Sequence, residues 1–286
     1  MNNPKVAIVT DSTVNLPEEY VKQYNLNVVP LNVIWGGETY KEGIDITTSE
    51  FYERLKTSKD LPTTSQPSAG QFHEVFSDLA KSYDGIVGIF LSEDLSGTLA
   101  SARAAVEMMG DFPIEIVDSR VISLALGFLV LEAARAAEQN LGINEVADAA
   151  RNLVSTTRFI FVVETLEYLH RGGRIGGAQR LLGSVLSMKP LLQLQDGKVM
   201  PLESVRSKRK AVNRMLAIAE EDLKNKNNIR LGVIHAAAKD EADQIQKQAT
   251  ELLNPIEAMQ NELSPVIGTH VGPGTVGLSY TYTTEG

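Results

Sequence analysis

The residues Gly85-Ile86-Val87-Gly88-Ile89-Phe90-Leu91 form an uncharged apolar run, which a hydroxyl-rich loop (92–98) and a helical pattern (99–109) follow. A short apolar run bounded in this way predicts a β-strand that is buried on both faces. A buried strand that leads through a loop into a helix is the repeating unit of a parallel α/β sheet. This stretch therefore predicts the fold class of the region around it.

Similar patterns surround this unit in the first half of the chain. Val6-Ala7-Ile8-Val9-Thr10 and Ile114-Glu115-Ile116-Val117-Asp118 predict two further buried strands. The other predicted elements are strands at 28–34 and 39–41 and helices at 49–56, 69–83, 121–139 and 145–154. This alternation of strands and helices predicts a parallel α/β N-terminal domain over residues 1–155.

The second half of the chain has a different pattern. Residues 189–206 predict a β-hairpin that turns at Asp196-Gly197. We also predict strands at 159–163, 230–235, 256–262 and 276–282 and helices at 208–224 and 240–253. Because a hairpin occurs among these elements, we expect a mixed sheet and a separate α+β C-terminal domain over residues 156–286.

The composition argues against several classes of function. The chain has 27 lysines and arginines against 36 aspartates and glutamates, a net charge of −9, whereas nucleic-acid binding needs basic surface. The absence of cysteine removes disulfides, thiolate catalysis and cysteine-based zinc sites. The four histidines show no metal-ligand spacing. We therefore expect no nucleic-acid partner and no metal site.

Neither an export signal nor a membrane span is predicted. The N-terminus leads into the first strand pattern without the basic and apolar regions of a signal peptide. The longest uncharged apolar stretch, 121–131, is too short to cross a bilayer. We therefore expect a cytoplasmic protein with at most transient membrane contact.

A neutral, hydroxyl-rich segment precedes one of the predicted helices. Pro62-Thr63-Thr64-Ser65-Gln66-Pro67-Ser68 carries no charge and leads into the helix at 69–83. A helix start has free backbone N–H groups and hydroxyls add donors, so this segment can bind an anion without lysine or arginine. Such a site suits a mostly apolar ligand with one small anionic head. The alternative is helix capping, since Ser68 and Gln71 have capping-box spacing.

Two further segments have the chemistry of an anion site. Ser96-Gly97-Thr98 lies where a predicted strand ends and a helix begins, so its hydroxyl and N–H groups can face a ligand. Thr269-His270-Val271-Gly272-Pro273-Gly274 places a histidine in a glycine-rich loop, where an imidazole can hydrogen-bond a carboxylate. Capping by Ser96 and a turn histidine without a function are the alternatives.

Ser96, His270 and Asp11 could instead be the nucleophile, base and orienting acid of a hydrolase. The sequence does not favour this, because Ser-Gly-Thr differs from the Gly-x-Ser-x-Gly elbow and no feature brings the three residues together. Asp11-Ser12-Thr13 also lacks the second carboxylate of an aspartyl-phosphate site. We expect Asp11 to accept hydrogen bonds from loop N–H groups.

Basic residues concentrate in two places of this acidic chain. Arg171-Gly172-Gly173-Arg174 combines two guanidinium groups with glycines, which suits contact with a phosphate or carboxylate. The alternative is a C-capped helix with solvated arginines. Arg206-Ser207-Lys208-Arg209-Lys210 opens a predicted helix, where positive charge opposes the macrodipole. This cluster indicates a phosphate or an acidic protein partner, unless it is a solvated helix face.

Taken together, these motifs resemble the DegV family, in which they occur in the same order. The matching segments are Val9-Thr10-Asp11-Ser12, Thr64-Ser65-Gln66-Pro67-Ser68, Leu95-Ser96-Gly97-Thr98, Arg171-Gly172-Gly173-Arg174 and Gly268-Thr269-His270-Val271-Gly272-Pro273-Gly274. The resemblance covers nearly the whole chain and implies the two-domain DegV-like α/β fold. Leu99 departs from the family, which often has an aromatic residue there, so we expect a changed packing wall at this position.

The resemblance also implies a function. DegV proteins bind a long-chain fatty acid, and several are the fatty-acid-binding subunit of bacterial fatty acid kinase. In that system a separate ATP-using kinase protein phosphorylates the bound carboxylate to an acyl phosphate. The chain would then be a carrier in phospholipid metabolism that is not an enzyme and needs no cofactor. A Ser/His acyl esterase or acyl-transfer enzyme is the alternative.

The resemblance assigns residues to these tasks. The implied carboxylate ligands are Thr64, Ser96 and His270, together with the backbone N–H groups of Gly97 and Thr98. Arg174 and Arg206 would face the kinase or its phosphate. Burial of the tail contributes ~0.8 kcal/mol for each methylene, and the apolar stretch 121–131 is either a wall for that tail or plain core.

Overall fold

The computed structural model describes residues 5–182 and 188–283 of the chain. In its first half the elements are β1 (Val6–Asp11), α1 (Glu18–Gln23), β2 (Asn27–Val29), β3 (Asn32–Trp35), β4 (Glu38–Lys41), α2 (Thr48–Thr57), β5 (Thr63–Ser65), α3 (Ala69–Leu79), β6 (Gly85–Phe90), α4 (Thr98–Met108), β7 (Ile114–Asp118), α5 (Leu124–Glu138) and α6 (Ile143–Val154). In its second half they are β8 (Arg158–Val162), α7 (Glu167–Arg171), β9 (Lys189–Gln195), β10 (Lys198–Val205), α8 (Lys208–Leu223), β11 (Asn227–His235), α9 (Lys239–Leu253), β12 (Glu257–Glu262), α10 (Pro265–Val271) and β13 (Val276–Thr283).

Strands from the first half form a parallel sheet and a small antiparallel sheet. The parallel sheet has four strands in the order β2-β1-β6-β7, and β1 and β6 are buried along their whole length. The antiparallel sheet has the order β4-β3-β5. The predicted α/β fold class is therefore confirmed, with a second sheet that the sequence analysis did not separate.

Strands from the second half form one mixed sheet of six strands in the order β10-β9-β8-β13-β11-β12. Only the pair β11 and β12 is parallel. The predicted hairpin turns as expected, with Asp196 and Gly197 between β9 and β10. The predicted domain limits, 1–155 and 156–286, stay a prediction.

Helix α5 lies between the two large sheets. It contacts β1 and β6 on one side and β11 and β13 on the other. Its side chains Leu124, Leu126 and Phe128 are completely buried. Contact with a sheet on both sides explains why the first part of the helix, 124–131, carries no charged side chain. Among the described residues, no helix is both long enough and apolar enough to cross a bilayer.

Three local predictions were wrong, and two of them bear on the site. The single strand predicted at 28–34 is two strands, since Pro30 and Leu31 separate β2 in the parallel sheet from β3 in the antiparallel sheet. Residues 63–65, placed in a loop, form β5 and pair with β3. The predicted turn at 268–274 includes the end of helix α10.

Candidate functional site

An apolar cavity lies between elements of the two halves. The space between its walls measures about 730 Å³ when the open solvent at its mouth is included. The wall includes Phe159, Phe161, Leu194, Val199, Ile234 and Ile267. Phe159 and Phe161 stack with their ring centroids 5.2 Å apart. The long sides of the cavity therefore suit an apolar ligand.

One end of the cavity is polar, and it unites residues that are far apart in the sequence. Thr64 of β5, Ser96 before α4, Arg174 after α7 and His270 of α10 all lie on the wall. Each of these side chains was predicted as a site residue. The geometry is that of an apolar chamber closed by a small cluster of hydrogen-bonding groups.

His270 is held at this end by a hydrogen bond to Thr64. Its Nε2 lies 2.8 Å from the Thr64 Oγ1, while its buried Nδ1 has no hydrogen-bond partner in the described structure. The pKa of His270 is lowered to about 4, mainly by burial and in addition by the nearby positive charge of Arg174. The imidazole is therefore neutral at pH 7. His270 sits in the last turn of a helix, and the predicted glycine-rich loop was wrong at this position.

Gly172 makes room for the imidazole of His270. A Cβ atom at Gly172 would lie 2.1 Å from His270 Nδ1, although the φ angle of −74° suits any residue. Close approach, and not backbone conformation, therefore requires glycine here. The sequence analysis noted the glycine pair after Arg171 but did not connect it with His270.

The Ser96-Gly97-Thr98 segment presents the serine hydroxyl to the cavity. Ser96 Oγ lies 2.9 Å from Thr98 Oγ1 and accepts a hydrogen bond from the Thr98 N–H at 3.3 Å. Thr98 is fully buried, and its hydrogen bonds to the Ser96 Oγ hold that hydroxyl in place. Gly97 is the N-cap of α4, and the Gln66 amide packs so close that a Cβ atom there would lie 2.8 Å from Gln66 Nε2. Gln66 also lines the cavity and was not predicted as a site residue.

Arg174 gives the polar end a positive charge. Its Nε donates to the Leu95 carbonyl at 3.0 Å and its Nη1 to the Gly172 carbonyl at 2.7 Å. The neutral anion site predicted at residues 62–68 therefore stays a prediction, with a cation on the wall of the same cavity. Arg171 does not line this cavity and forms an exposed ion pair with Glu167 at 2.6 Å.

A second, outer depression adjoins the polar end. Thr64, Arg174 and His270 line it together with Tyr168 and Arg171. Because the first three residues also line the inner cavity, they form the partition between the two spaces. A ligand head placed at this partition would be reached from outside through the depression.

Arg206 lies outside the cavity wall. It is exposed between β10 and α8. Its neighbour Lys208 forms ion pairs with Glu164 and Glu241 at 2.9 and 2.5 Å. Part of the positive charge at the start of α8 is thus balanced within the protein. The basic residues at 206–210 therefore do not all need a phosphate or an acidic protein to balance their charge.

The hydrogen bonds do not assemble a Ser–His–Asp triad. Asp11 accepts from the Leu91 N–H at 2.9 Å and from the N–H and hydroxyl of Thr13, as predicted for a loop-binding carboxylate. Ser96 is hydrogen-bonded to Thr98 and His270 to Thr64. The described structure therefore gives no geometric support to the acyl-transfer alternative.

Two expectations about packing walls can be compared with the structure. Leu99 packs in a buried cluster with Phe72, Phe76 and Phe90 and does not line the cavity. Of the stretch 121–131, for which a wall for the tail and plain core were the alternatives, only Ile122 lines the cavity, so the core alternative is confirmed. No group of three or more histidine, aspartate or glutamate residues within 5–182 and 188–283 is arranged to hold a metal ion.

The sequence and the fold both match a known family. The DegV family profile, described as "Uncharacterised protein, DegV family", matches residues 5–283. A DegV domain-containing protein of Clostridium perfringens is 39% identical over 96% of this chain and 98% of its own length. A fatty-acid-binding DegV family protein from Thermus thermophilus superposes with a TM-score of 0.93 at 32% identity, covering 98% of this chain and 100% of the other. DegV from Bacillus subtilis, a fatty acid binding protein, gives a TM-score of 0.90 at 35% identity, with 98% and 100% covered. As the motifs predicted, the chain belongs to the DegV family.

Proposed function

We propose that this protein binds a long-chain fatty acid in the inner cavity, with the carboxylate at the polar end. The observation that carries the proposal is an apolar cavity closed at one end by Thr64, Ser96, Arg174 and His270. The T. thermophilus and B. subtilis proteins, which share the fold, are fatty-acid-binding proteins, and this supports the same ligand class here.

The tail supplies most of the affinity in this proposal. Each methylene removed from water contributes ~0.8 kcal/mol. The walls formed by Phe159, Phe161, Leu194 and Val199 offer an apolar surface without charges. A polar ligand of the same size would lose its hydration along these walls without gaining hydrogen bonds.

The head group is held by neutral donors beside one cation. A buried carboxylate needs hydrogen bonds and a counter-charge to offset its desolvation. The hydroxyls of Thr64 and Ser96 supply hydrogen bonds, and Arg174 supplies the charge. The neutral His270 adds a hydrogen bond without a second charge. The backbone N–H group of Thr98 donates to the Ser96 Oγ and supports the same end through that hydroxyl, and the backbone N–H group of Gly97 lies between them in the chain.

We further propose that the bound acid is presented to a separate kinase protein. The partition between the two spaces would leave a carboxylate oxygen facing the outer depression, where Arg171 and Arg174 lie. That oxygen would attack the γ-phosphorus of ATP held by the partner, the bond to ADP would break, and an acyl phosphate would form. Arg174 would stabilise the transferred phosphoryl group, and the exposed Arg206 is a candidate contact with the partner. This chain would then act as a carrier in the cytoplasm, without a cofactor.

Mass spectrometry of an organic extract from the purified protein tests the ligand. We expect one free fatty acid per chain, or stoichiometric uptake of added oleate. Absence of lipid together with no uptake of oleate would contradict the proposal. Release of the acid from an acyl ester by this chain alone would instead favour the esterase alternative.

Alanine variants test the head-group assignment. We expect Ser96→Ala and His270→Ala to lose bound lipid while keeping their far-UV circular dichroism. His73→Ala is the matched control, because His73 lies on α3 outside the cavity wall. Full lipid occupancy in both site variants would overturn the assignment. Acyl phosphate should form only when ATP and the kinase partner are both added.

A further inference from the structure

Glu42, in the loop between β4 and α2, carries a buried carboxyl group. The residue is only 5% exposed. Its Oε1 accepts a hydrogen bond from the Val266 N–H at 2.6 Å. Its buried Oε2 makes no hydrogen bond of ordinary geometry among the described residues, although the hydroxyls of Ser12 and Ser264 lie close enough to act on the carboxyl group. A buried acid without a counter-charge needs an explanation, because such groups are costly unless they are protonated or paired.

The hydrogen bond of Glu42 fixes the helix that carries His270. Pro265 opens α10 and has no N–H, so Val266 provides the first backbone donor of the helix. Ser264 does not cap the helix with its own side chain. His270 follows Val266 by four residues, which is about one helical turn. Glu42 therefore contributes the side-chain contact that α10 does not supply for itself.

The surrounding elements offer Glu42 no positive charge. The titratable groups that face it are Asp11 at the end of β1, Tyr52 of α2 and Glu262 of β12. The pKa of Glu42 is raised to about 7, because burial raises it by more than the hydrogen bonds from the Ser12 hydroxyl, the Val266 N–H and the Ser264 hydroxyl lower it, and the charge of Asp11 adds to the rise. Glu42 forms no ion pair within residues 5–182 and 188–283. Its loss of a proton thus creates an uncompensated buried charge.

We propose that Glu42 is a positioning residue of the ligand site, whose protonated carboxyl group holds α10 in place and whose ionised form loosens it. In the protonated form one oxygen accepts the Val266 N–H and the other donates toward Ser264 Oγ, which also has no partner. In the ionised form, opening of this contact lets water reach the carboxylate. The proposed retention of a fatty acid would therefore weaken as the pH rises.

The direction in which pH changes the opening equilibrium follows from the shift in the pKa of Glu42. Because the pKa of Glu42 is raised from 4.5 to about 7 in the closed form, protonation stabilises that form at low pH. This stabilisation is lost as the pH rises through 7, and the opening equilibrium should increase about tenfold between pH 6 and pH 8. His270, with a pKa of about 4, is already neutral over this interval.

The test compares Glu42→Gln and Glu42→Ala with the wild-type protein and with Glu38→Gln. Glutamine keeps both an acceptor and a donor but cannot ionise, and Glu38 is an exposed residue of β4. We expect the rate of oleate release to rise about tenfold from pH 6 to pH 8 in the wild type and in Glu38→Gln. In Glu42→Gln it should stay level, and Glu42→Ala should release oleate about tenfold faster already at pH 6, as expected for loss of about 1.4 kcal/mol.

Hydrogen exchange of a peptide covering 263–272 in lipid-free protein provides a readout that does not depend on the ligand. After correction for the intrinsic rates, the wild type should lose protection from pH 6 to pH 8 and Glu42→Gln should not. An equal pH response in these two proteins would overturn the proposal. The proposal for Glu42 rests on fatty-acid binding only for the release assay. Failure of every protein to bind oleate, with the exchange result intact, would reject the ligand and retain the positioning residue.

Discussion

The two halves of the chain meet at two polar contacts that differ in how their charges are balanced. The first joins α5 to β11 and β12. There the Arg135 Nη2 lies 2.8 Å from the Glu257 Oε1, and the Arg230 Nη1 lies 2.9 Å from the Glu132 Oε2. Arg230 also approaches Glu257 at 3.3 Å. Each charge in this cluster faces an opposite charge, so its charges are balanced without a ligand, although four of its buried side-chain atoms make no hydrogen bond of ordinary geometry among the described residues.

The second contact joins α10 to elements of the first half, and its groups are not balanced. Among the residues that the structure describes, Glu42 has no counter-charge and His270 Nδ1 has no hydrogen-bond partner. Within the same residues, Arg174 donates to the neutral backbone carbonyls of Leu95 and Gly172 and pairs with no carboxylate. Buried polar groups that stay incomplete are costly, so they mark a place where a ligand or a proton completes the structure. The first contact therefore stabilises the fold, whereas the second contact belongs to the candidate site.

The largest expected effect comes from breaking the balanced contact. Replacing Arg230 by alanine leaves Arg135 as the one cation facing the two glutamates Glu132 and Glu257 among the described residues, in a mostly buried setting, since Arg230 is 11% exposed. We expect the free energy of unfolding to fall by about 4 kcal/mol. Denaturant unfolding at pH 7 measures this. Lys239→Ala, which removes a surface pair with Asp243, should change little. Equal losses in both variants would mean that the cluster does not join the halves.

The next largest effect is a change in how the free energy of unfolding depends on pH, which arises from His270 in the second contact. The pKa of His270 is lowered from 6.5 to about 4 by burial, so the unfolded chain binds more protons than the folded protein between these values. The wild type should lose about 3 kcal/mol of stability from this group as the pH falls from 7 to 4. His270→Gln should lack this loss. Unfolding curves at several pH values measure the difference, and parallel pH profiles for the two proteins would show that His270 is not buried as described.

A smaller effect, on oleate binding, is expected when a methyl group is added next to the imidazole of His270. The alanine methyl group in Gly172→Ala would collide with His270 Nδ1 and displace the ring from Thr64. We expect a cost of about 2 kcal/mol, typical of overpacking, seen mainly as weaker oleate binding. Gly70→Ala on α3 is the control, because its nearest neighbour is at an ordinary 3.8 Å. Wild-type oleate affinity in Gly172→Ala would show that the position of His270 does not control the site.

Much of the fold was predictable because it depends on neighbours in the sequence. The apolar runs became β1 and β6, and the spacings Thr47–Glu50 and Ser68–Gln71 became complete capping boxes. Periodicity, caps and turn residues act over a few positions, so a linear pattern records them. The ordered motifs also carried the resemblance to the DegV family, which the comparisons confirmed.

Predictions of local structure were wrong where a contact between residues far apart in the sequence outweighed the local pattern. The glycines at 268–274 predict a turn, yet α10 includes Gly268, because a Cβ atom there would lie 2.6 Å from the Tyr52 hydroxyl. The glycine is thus required by packing against α2. Likewise, Thr64 was placed at a helix start, but its strand is completed by pairing with β3.

The sequence by itself determined the α/β fold class, most helices and strands, and the residue types that form the polar end of the cavity. Only the tertiary structure decided their partners. The hydrogen bond between Thr64 and His270 spans 206 positions, and that between Glu42 and Val266 spans 224. The placement of Arg174 beside His270 and the burial of Glu42 likewise arise when separate elements pack together. A local pattern records short-range energies, whereas burial and charge balance depend on every element that surrounds a group.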